Sequence, residues 1–329
     1  MTGAGERRIV EGYAMSSRAE ENMSAGIRDQ TTAGPYRTGT VAIVGRPNVG
    51  KSTLLNGLIG FKLSAVSPKP QTTRHRILGV LTDENYQVAF LDTPGLPCNL
   101  DDELNRRLLV RLGEAVKEAD LVVMMVEPRP PADLELRLIG QLKRSGKPCL
   151  LAINKIDVVR KPDLLPVIDA YNGLYPYLEI VPVSALKNEG VDYLLPAIVK
   201  HLPEGEPAFP ADELTDRTER FLAGEMVREQ VFHAYAQEVP YAVAVEIEQF
   251  REGSEEHGGK DHIRAILYVE RESQKAILIG KGGQLLKKVG TRARQQIEEV
   301  TGRPVYLELW VKVYPRWRKD KAFLHRIGY

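Results

Sequence analysis

The run Gly45-Arg46-Pro47-Asn48-Val49-Gly50-Lys51-Ser52 has the residue types and spacing to hold a phosphate chain. Its glycines let backbone N–H groups converge on phosphate oxygens, Lys51 reaches the terminal phosphates, and Ser52 offers a hydroxyl to a magnesium ion. The N-terminus of the helix that follows adds its dipole. Phosphate binding alone leaves the base and the reaction open. Asn154-Lys155-Ile156-Asp157 narrows the choice, because the Asp157 carboxylate can accept from both N1–H and the 2-amino group of guanine, which adenine does not offer.

Two shorter segments complete the set in chain order. Asp92-Thr-Pro-Gly95 supplies a carboxylate for magnesium, usually through water, and a Gly95 N–H able to sense the terminal phosphate. Ser184-Ala185-Leu186 would give a backbone contact to guanine O6. The polar segment Pro68–Arg76 reads as a mobile switch loop, with Thr73 as the expected magnesium ligand and Thr72 as its rival. Lys51, Thr73 and Gly95 are therefore the expected catalytic group, acting by positioning and charge neutralisation. Leu96 stands where many switch GTPases carry a glutamine that orients the attacking water, so slow intrinsic turnover is expected.

Each motif needs a strand end to present it. Val41–Val44, Val88–Leu91, Leu121–Val126 and Cys149–Ile153 are strand-like and alternate with helix-length stretches. That pattern predicts an α/β domain with a doubly wound, mostly parallel sheet over residues 38–202. The helix after the phosphate loop carries Leu54, Leu55, Leu58 and Ile59. Residues 203–210 hold three prolines and a glycine and read as a linker. The first 37 residues lack any apolar run or period and read as a disordered tail, with Met15 and Met23 leaving the start open.

Residues 211–329 change character. A long helix from about Asp212 to Tyr235 is expected, then two alternating strands, a helix, a glycine turn, a second helix and a last strand from Val305 to Val313. The turn is Gly280-Lys281-Gly282-Gly283, and a G-x-x-G turn between helices is the device by which KH domains admit a nucleic-acid backbone. From Lys275 to Tyr329 there are 13 basic residues against 4 acidic, a local net charge of +9 in a chain of net charge +1. Lys287, Lys288 and Arg292 are the expected phosphate contacts beside the turn. Trp310 and Trp317 could stack on bases or fill a core.

With 329 residues, 43% apolar and 27% charged, the chain has the composition of a globular protein of two domains. No apolar run approaches the roughly 18–20 residues of a membrane span. The only two cysteines, Cys98 and Cys149, have no metal-ligand spacing and suit a reducing compartment.

From about Thr38 to Tyr329 the sequence resembles the Era family of GTPases. The resemblance is carried by Gly45–Thr53, Gln71-Thr-Thr-Arg-His-Arg76, Asp92–Gly95, Asn154–Asp157, Ser184–Leu186, Gly280–Gly283 and Val311–Asp320. It implies a P-loop GTPase domain followed by an α+β type II KH domain, with GTP/GDP and Mg2+ held by Gly45–Thr53 and the downstream motifs. It also implies binding near the 3′ end of 16S ribosomal RNA and a role in 30S subunit assembly. A cytoplasmic monomer with peripheral membrane association is part of the same expectation. Relatives that replace the glutamine by a hydrophobic residue use potassium beside a P-loop asparagine, here Asn48. The alternative is an RNA chaperone or structural clamp in which nucleotide only stabilises the fold.

Overall fold

The computed structural model describes residues 8–10, 35–69, 72–96, 102–235, 238–253 and 259–329. Its larger sheet is built on β2 (Arg37–Gly45), whose residues Val41–Val44 are fully buried. Strands covered on both faces read as continuous apolar runs, and β5 (Leu121–Val126) and β6 (Cys149–Ile153) do so as well. With β3 (Ile77–Thr82), β4 (Tyr86–Asp92) and β7 (Ile180–Pro182) the strand order is β3-β4-β2-β5-β6-β7. Every pairing is parallel except that of β3 with β4.

Alternate residues of β5 enter two cores. Leu121, Val123 and Met125 pack with α1 (Lys51–Ile59) and α5 (Val191–Lys200). Val122, Met124 and Val126 pack with α2 (Glu103–Glu118), α3 (Asp133–Ser145) and α4 (Leu164–Asn172). The sheet is therefore doubly wound. Its switch point lies beside the carboxyl end of β2, where such sheets hold their ligands.

The second unit is a three-stranded sheet in the order β11-β10-β9, formed by β9 (Ala244–Arg251), β10 (Asp261–Val269) and β11 (Val305–Val313). β10 and β11 are parallel, so the chain must cross over between them, and it does so through α7 (Glu272–Ile279), the glycine turn and α8 (Gln284–Thr301). Helix α6 (Glu219–Ala234) packs beside α8 on one sheet face through Val227, Val231, Val289 and Ala293. Part of the other face is covered by Trp317 and by Phe323 and Leu324 of α9 (Lys321–Arg326), which also meet Leu104 and Leu108 of α2. The expected order α-β-β-α-α-β is present.

Two expectations need correction. The helix predicted from about Asp212 begins only at Glu219, because Glu213–Thr218 form β8. Thr215 is fully buried there and its Oγ1 donates to the Leu78 carbonyl at 2.5 Å, while Thr218 caps α6 by accepting from the Phe221 N–H at 3.3 Å. The inward-facing Glu213 and Thr215 are polar, so no apolar period marked the strand. The tail of 37 residues is not wholly irregular: Arg8–Val10 form β1, paired antiparallel with β8, and Arg37 opens β2. Residues 1–7 and 11–34 lie outside the described residues. The linker has no regular element but is docked, with the buried Gln87 side chain accepting from the Ala208 and Phe209 N–H groups at 2.7 and 2.9 Å.

Candidate functional site

A cleft of about 550 Å³ opens at the carboxyl ends of β2, β4 and β6. Pro47, Asn48, Gly50, Lys51, Ser52 and Thr53 line one side of it, and Asn154, Lys155, Asp157, Ala185 and Leu186 the other. Gly50 caps α1 with φ 104°, and a Cβ there would meet Asn154 Nδ2 at 2.2 Å, so only glycine lets the two segments approach. Asn154 ties the halves together: its Nδ2 donates to the Val49 carbonyl at 2.7 Å and its Oδ1 accepts from the Ala185 N–H at 2.8 Å. Ser184 Oγ donates to Asp157 Oδ1 at 2.6 Å, which aims the carboxylate while its other oxygen remains for a ligand. Lys155, at φ 66°, is held by Glu127 at 2.6 Å.

At the phosphate end, three side chains converge. Ser52 Oγ lies 2.7 Å from Thr73 Oγ1 and donates to Asp92 Oδ2 at 2.7 Å. Ser64 Oγ donates to the same Asp92 oxygen at 2.9 Å. Asp92 Oδ1 is buried without a partner among the described residues. An orphaned carboxylate oxygen beside two hydroxyls is a hard-oxygen donor set that fits Mg2+. Burial raises the Asp92 pKa, with Lys51 and the two serines opposing, and burial pushes Lys51 down to about 8. Phosphate beside Lys51 and a cation beside Asp92 would each offset that burial. Lys51 Nζ meanwhile donates to the Arg46 carbonyl at 2.9 Å, and Arg46 itself pairs with Glu135 at 3.3 Å.

Of the two rivals in the switch loop, Thr73 has its hydroxyl at this cluster. Thr72 Oγ1 instead donates to the Lys69 carbonyl at 2.7 Å and lies 2.6 Å from Ser67 Oγ. The expected mobile loop is docked over residues 72–76, and Gln71, like Cys98, lies outside the described residues. Gly95 lines the cleft, whereas Leu96 is buried in the core beside α2 and α3. A side chain so placed cannot orient water. Asn48, at φ 62°, donates from Nδ2 to the Pro68 carbonyl at 2.5 Å and so faces the switch loop. Gly45 closes β2 and Val49 is buried beneath the cleft.

Sequence reasoning missed Ser64 and Glu127. Ser64 belongs to no motif and is positioned by Asn56, whose Oδ1 accepts from the Leu63 and Ser64 N–H groups at 3.0 and 2.9 Å. Glu127 directly follows β5, and its place at a strand end was the signal available.

In the second unit, Gly280 (φ 72°), Gly282 (φ 59°) and Gly283 (φ 75°) form the turn between α7 and α8. A Cβ at Gly282 would meet nothing within 4 Å, so the turn is open to an incoming backbone. Lys281, Lys287, Lys288 and Arg292 are exposed, and none forms an ion pair among the described residues, whereas Arg294 is paired with Glu298 at 2.7 Å. Ile277 and Leu285 flank the turn as exposed apolar residues. Trp317 is fully buried, donating to the Ala242 carbonyl at 2.9 Å, and is a core residue; Trp310 is 56% exposed on β11. Among the described residues no helix is long and apolar enough to cross a membrane.

Residues 40–155 match the family described as 50S ribosome-binding GTPase, and residues 238–318 match the KH domain family. The GTPase Era of Geobacter metallireducens is 46% identical over 296 residues, 90% of this chain and 98% of that protein. That of Syntrophus aciditrophicus is 44% identical over 295 residues, 89% of this chain and 95% of its own. An Era variant of Aquifex aeolicus bound to GDP and AlF4− superposes with a TM-score of 0.86 at 43% identity, covering 89% of this chain and 99% of that one. An Era complex with MgGDPNP and nucleotides 1506–1542 of 16S ribosomal RNA matches with the same score, identity and coverage. With identity of 43–46% over about nine-tenths of its length and a match to both family models, the chain belongs to the Era family of GTPases and hydrolyses GTP.

Proposed function

We propose that the chain uses GTP binding and hydrolysis to time its hold on the 3′ region of 16S ribosomal RNA during 30S subunit assembly. The observation that carries this reading is the pairing, in one chain, of a Ser52–Thr73–Asp92 cluster already drawn together with an open glycine turn flanked by basic residues that form no ion pair among the described residues. The relative solved with MgGDPNP and a 16S ribosomal RNA segment supports it, since that Era protein takes both classes of ligand in one complex. The match to the 50S ribosome-binding GTPase family covers only residues 40–155 of the nucleotide domain, so the RNA assignment rests on the second unit.

In this reading Asp157, with a backbone contact from Ser184–Leu186, recognises guanine, and Lys51 with the loop amides holds the β- and γ-phosphates. Ser52 and Thr73, with Asp92 behind them, would hold Mg2+, which spreads the charge that develops on the phosphate oxygens. Loss of the γ-phosphate removes the partners of Thr73 and Gly95 and loosens the switch loop, which lowers the hold on RNA. Affinity for 30S subunits should therefore be higher with a non-hydrolysable GTP analogue than with GDP. Equal affinity in the two states would favour a structural clamp. Peripheral membrane attachment is part of the family expectation, and no residue of this chain is assigned to it.

Water positioning and charge compensation must come from elsewhere than Leu96, and Asn48 faces the switch loop from the phosphate side. We infer that a potassium ion held partly by Asn48 supplies positive charge at the transition state. Phosphate release should be about a hundredfold faster in potassium than in sodium at equal ionic strength, the lower range for one preorganised donor. Asn48→Ala should erase most of that difference; equal rates for the unaltered chain in the two salts would remove the cation from the mechanism.

A further inference from the structure

The switch loop makes a second set of contacts, on the far side from the nucleotide. Arg74 directly follows Thr73 and is buried to 1% exposure. Its Nη1 donates to the Val243 carbonyl at 2.8 Å, and its Nη2 donates to the carbonyls of Tyr241 at 3.0 Å and Pro240 at 3.4 Å. The guanidinium carbon lies 5.8 Å from the ring centres of Phe232, Trp317 and Tyr329. All of these carbonyls and rings belong to the second unit. The flanking residues are held there too: Arg228 donates to the Thr72 carbonyl, and His75 stacks on Tyr329 with ring centres 4.7 Å apart. Glu225, a buried carboxylate beside these residues, is shared by Arg228 at 2.9 Å and His75 at 3.3 Å.

Thr73 is thus the one residue of the segment 72–75 that reaches the nucleotide cluster, and its neighbours on both sides are anchored in the RNA-binding unit. We propose that Arg74 is a positioning residue for GTP hydrolysis: seating its guanidinium on the carbonyls of residues 240–243 draws Thr73 to Ser52, so that the second unit completes the GTPase site. The inference rests on the reading of Thr73 as the switch-loop magnesium ligand. A planar fork of N–H donors meets three carbonyls and three ring faces at once, which the single ammonium of a lysine cannot do. Arg74 Nε is buried without a partner among the described residues, so the guanidinium is held through its two Nη groups and the surrounding rings. By reciprocity, seating Arg74 favours the contact of Thr73 in the cleft, and that contact favours the seat.

The test uses the full chain, with kcat and KM for GTP and the affinity for GDP measured in Arg74→Ala, Arg74→Met, Arg74→Lys, Thr73→Ala and the Thr73→Ala/Arg74→Ala double variant. Arg74→Met keeps volume against the three rings and guards against a cavity that unfolds the alanine variant. Losing a set of charge-assisted bonds that orders a catalytic loop should lower kcat by about tenfold to a hundredfold, with GDP affinity within about twofold of the parent. Lysine should restore little. The double variant should be no slower than Thr73→Ala, because Arg74 acts through Thr73. A folded Arg74→Met with parental kcat, beside a slow Thr73→Ala, would overturn the role of Arg74 alone. Parental kcat in Thr73→Ala would instead overturn the magnesium-ligand reading beneath it. Equal loss of GDP and GTP binding in the Arg74 variants would assign the residue to packing and overturn the inference as well.

Discussion

Asp157→Asn should weaken GTP binding by about 2–5 kcal/mol, the usual cost of truncating one partner of a buried charged pair. Ser184 Oγ donates to Asp157 Oδ1 at 2.6 Å, and an amide oxygen placed there keeps that bond. Its NH2 group then faces the guanine N1–H and 2-amino donors, so two donors meet two donors and the base loses both partners. Xanthosine triphosphate carries an oxygen at position 2 and should bind the variant better than the parent. Nucleotide titrations of both proteins check this, and unchanged GTP affinity would remove Asp157 from base recognition. The Asn154 bridge between the Val49 carbonyl and the Ala185 N–H is untouched by the change, so the cleft should keep its shape.

Gly282→Asp should abolish most binding to single-stranded ribosomal RNA while leaving GTP binding intact. The glycine has φ 59° and open space beyond its Cα, so the aspartate fits sterically and places a negative charge where a phosphate would approach. The backbone strain is about 1 kcal/mol, since aspartate is among the residues that visit this region. Gly282→Asn carries the same strain without the charge and should retain more RNA affinity than the aspartate variant. Every residue assigned to nucleotide precedes Leu202, and the turn lies at the end of α7 distant in sequence from the Arg74 seat. Loss of nucleotide binding in a folded Gly282→Asp protein, with RNA affinity kept, would make the glycine turn a purely structural one.

What could be read from the sequence was what sheet burial imposes on it. Leu121–Val126 and Cys149–Ile153 are unbroken apolar runs because both faces are covered, and each nucleotide motif follows such a run at the carboxyl strand end. Gly280–Gly283 was legible because helical periods on both sides bracket it. Glu213–Thr218 was not, since its inward residues are polar and are satisfied by partners on a distant strand, as Thr215 is by Leu78. Arg74 was illegible for the same reason. An arginine in a polar loop reads as solvated, and its burial depends on carbonyls 166 positions and more downstream. The three prolines around residues 203–210 correctly forbade regular structure, but Gln87 receives the linker through backbone groups that any sequence would offer.

The seat of Arg74 also has a consequence for the order in which the molecule is completed as it is made. Translation delivers the chain from its amino end, and domains generally fold as they emerge. The last strand of the first sheet ends at Pro182 and α5 at Lys200, so a nascent chain already holds the frame of the nucleotide cleft. Trp317 and Tyr329, two of the three rings around the guanidinium, are not yet synthesised at that stage. A polypeptide emerging from its own ribosome therefore has a pocket for nucleotide before the dock of its switch loop is complete, and if Arg74 seats the loop as proposed, closure over the phosphates awaits the second unit.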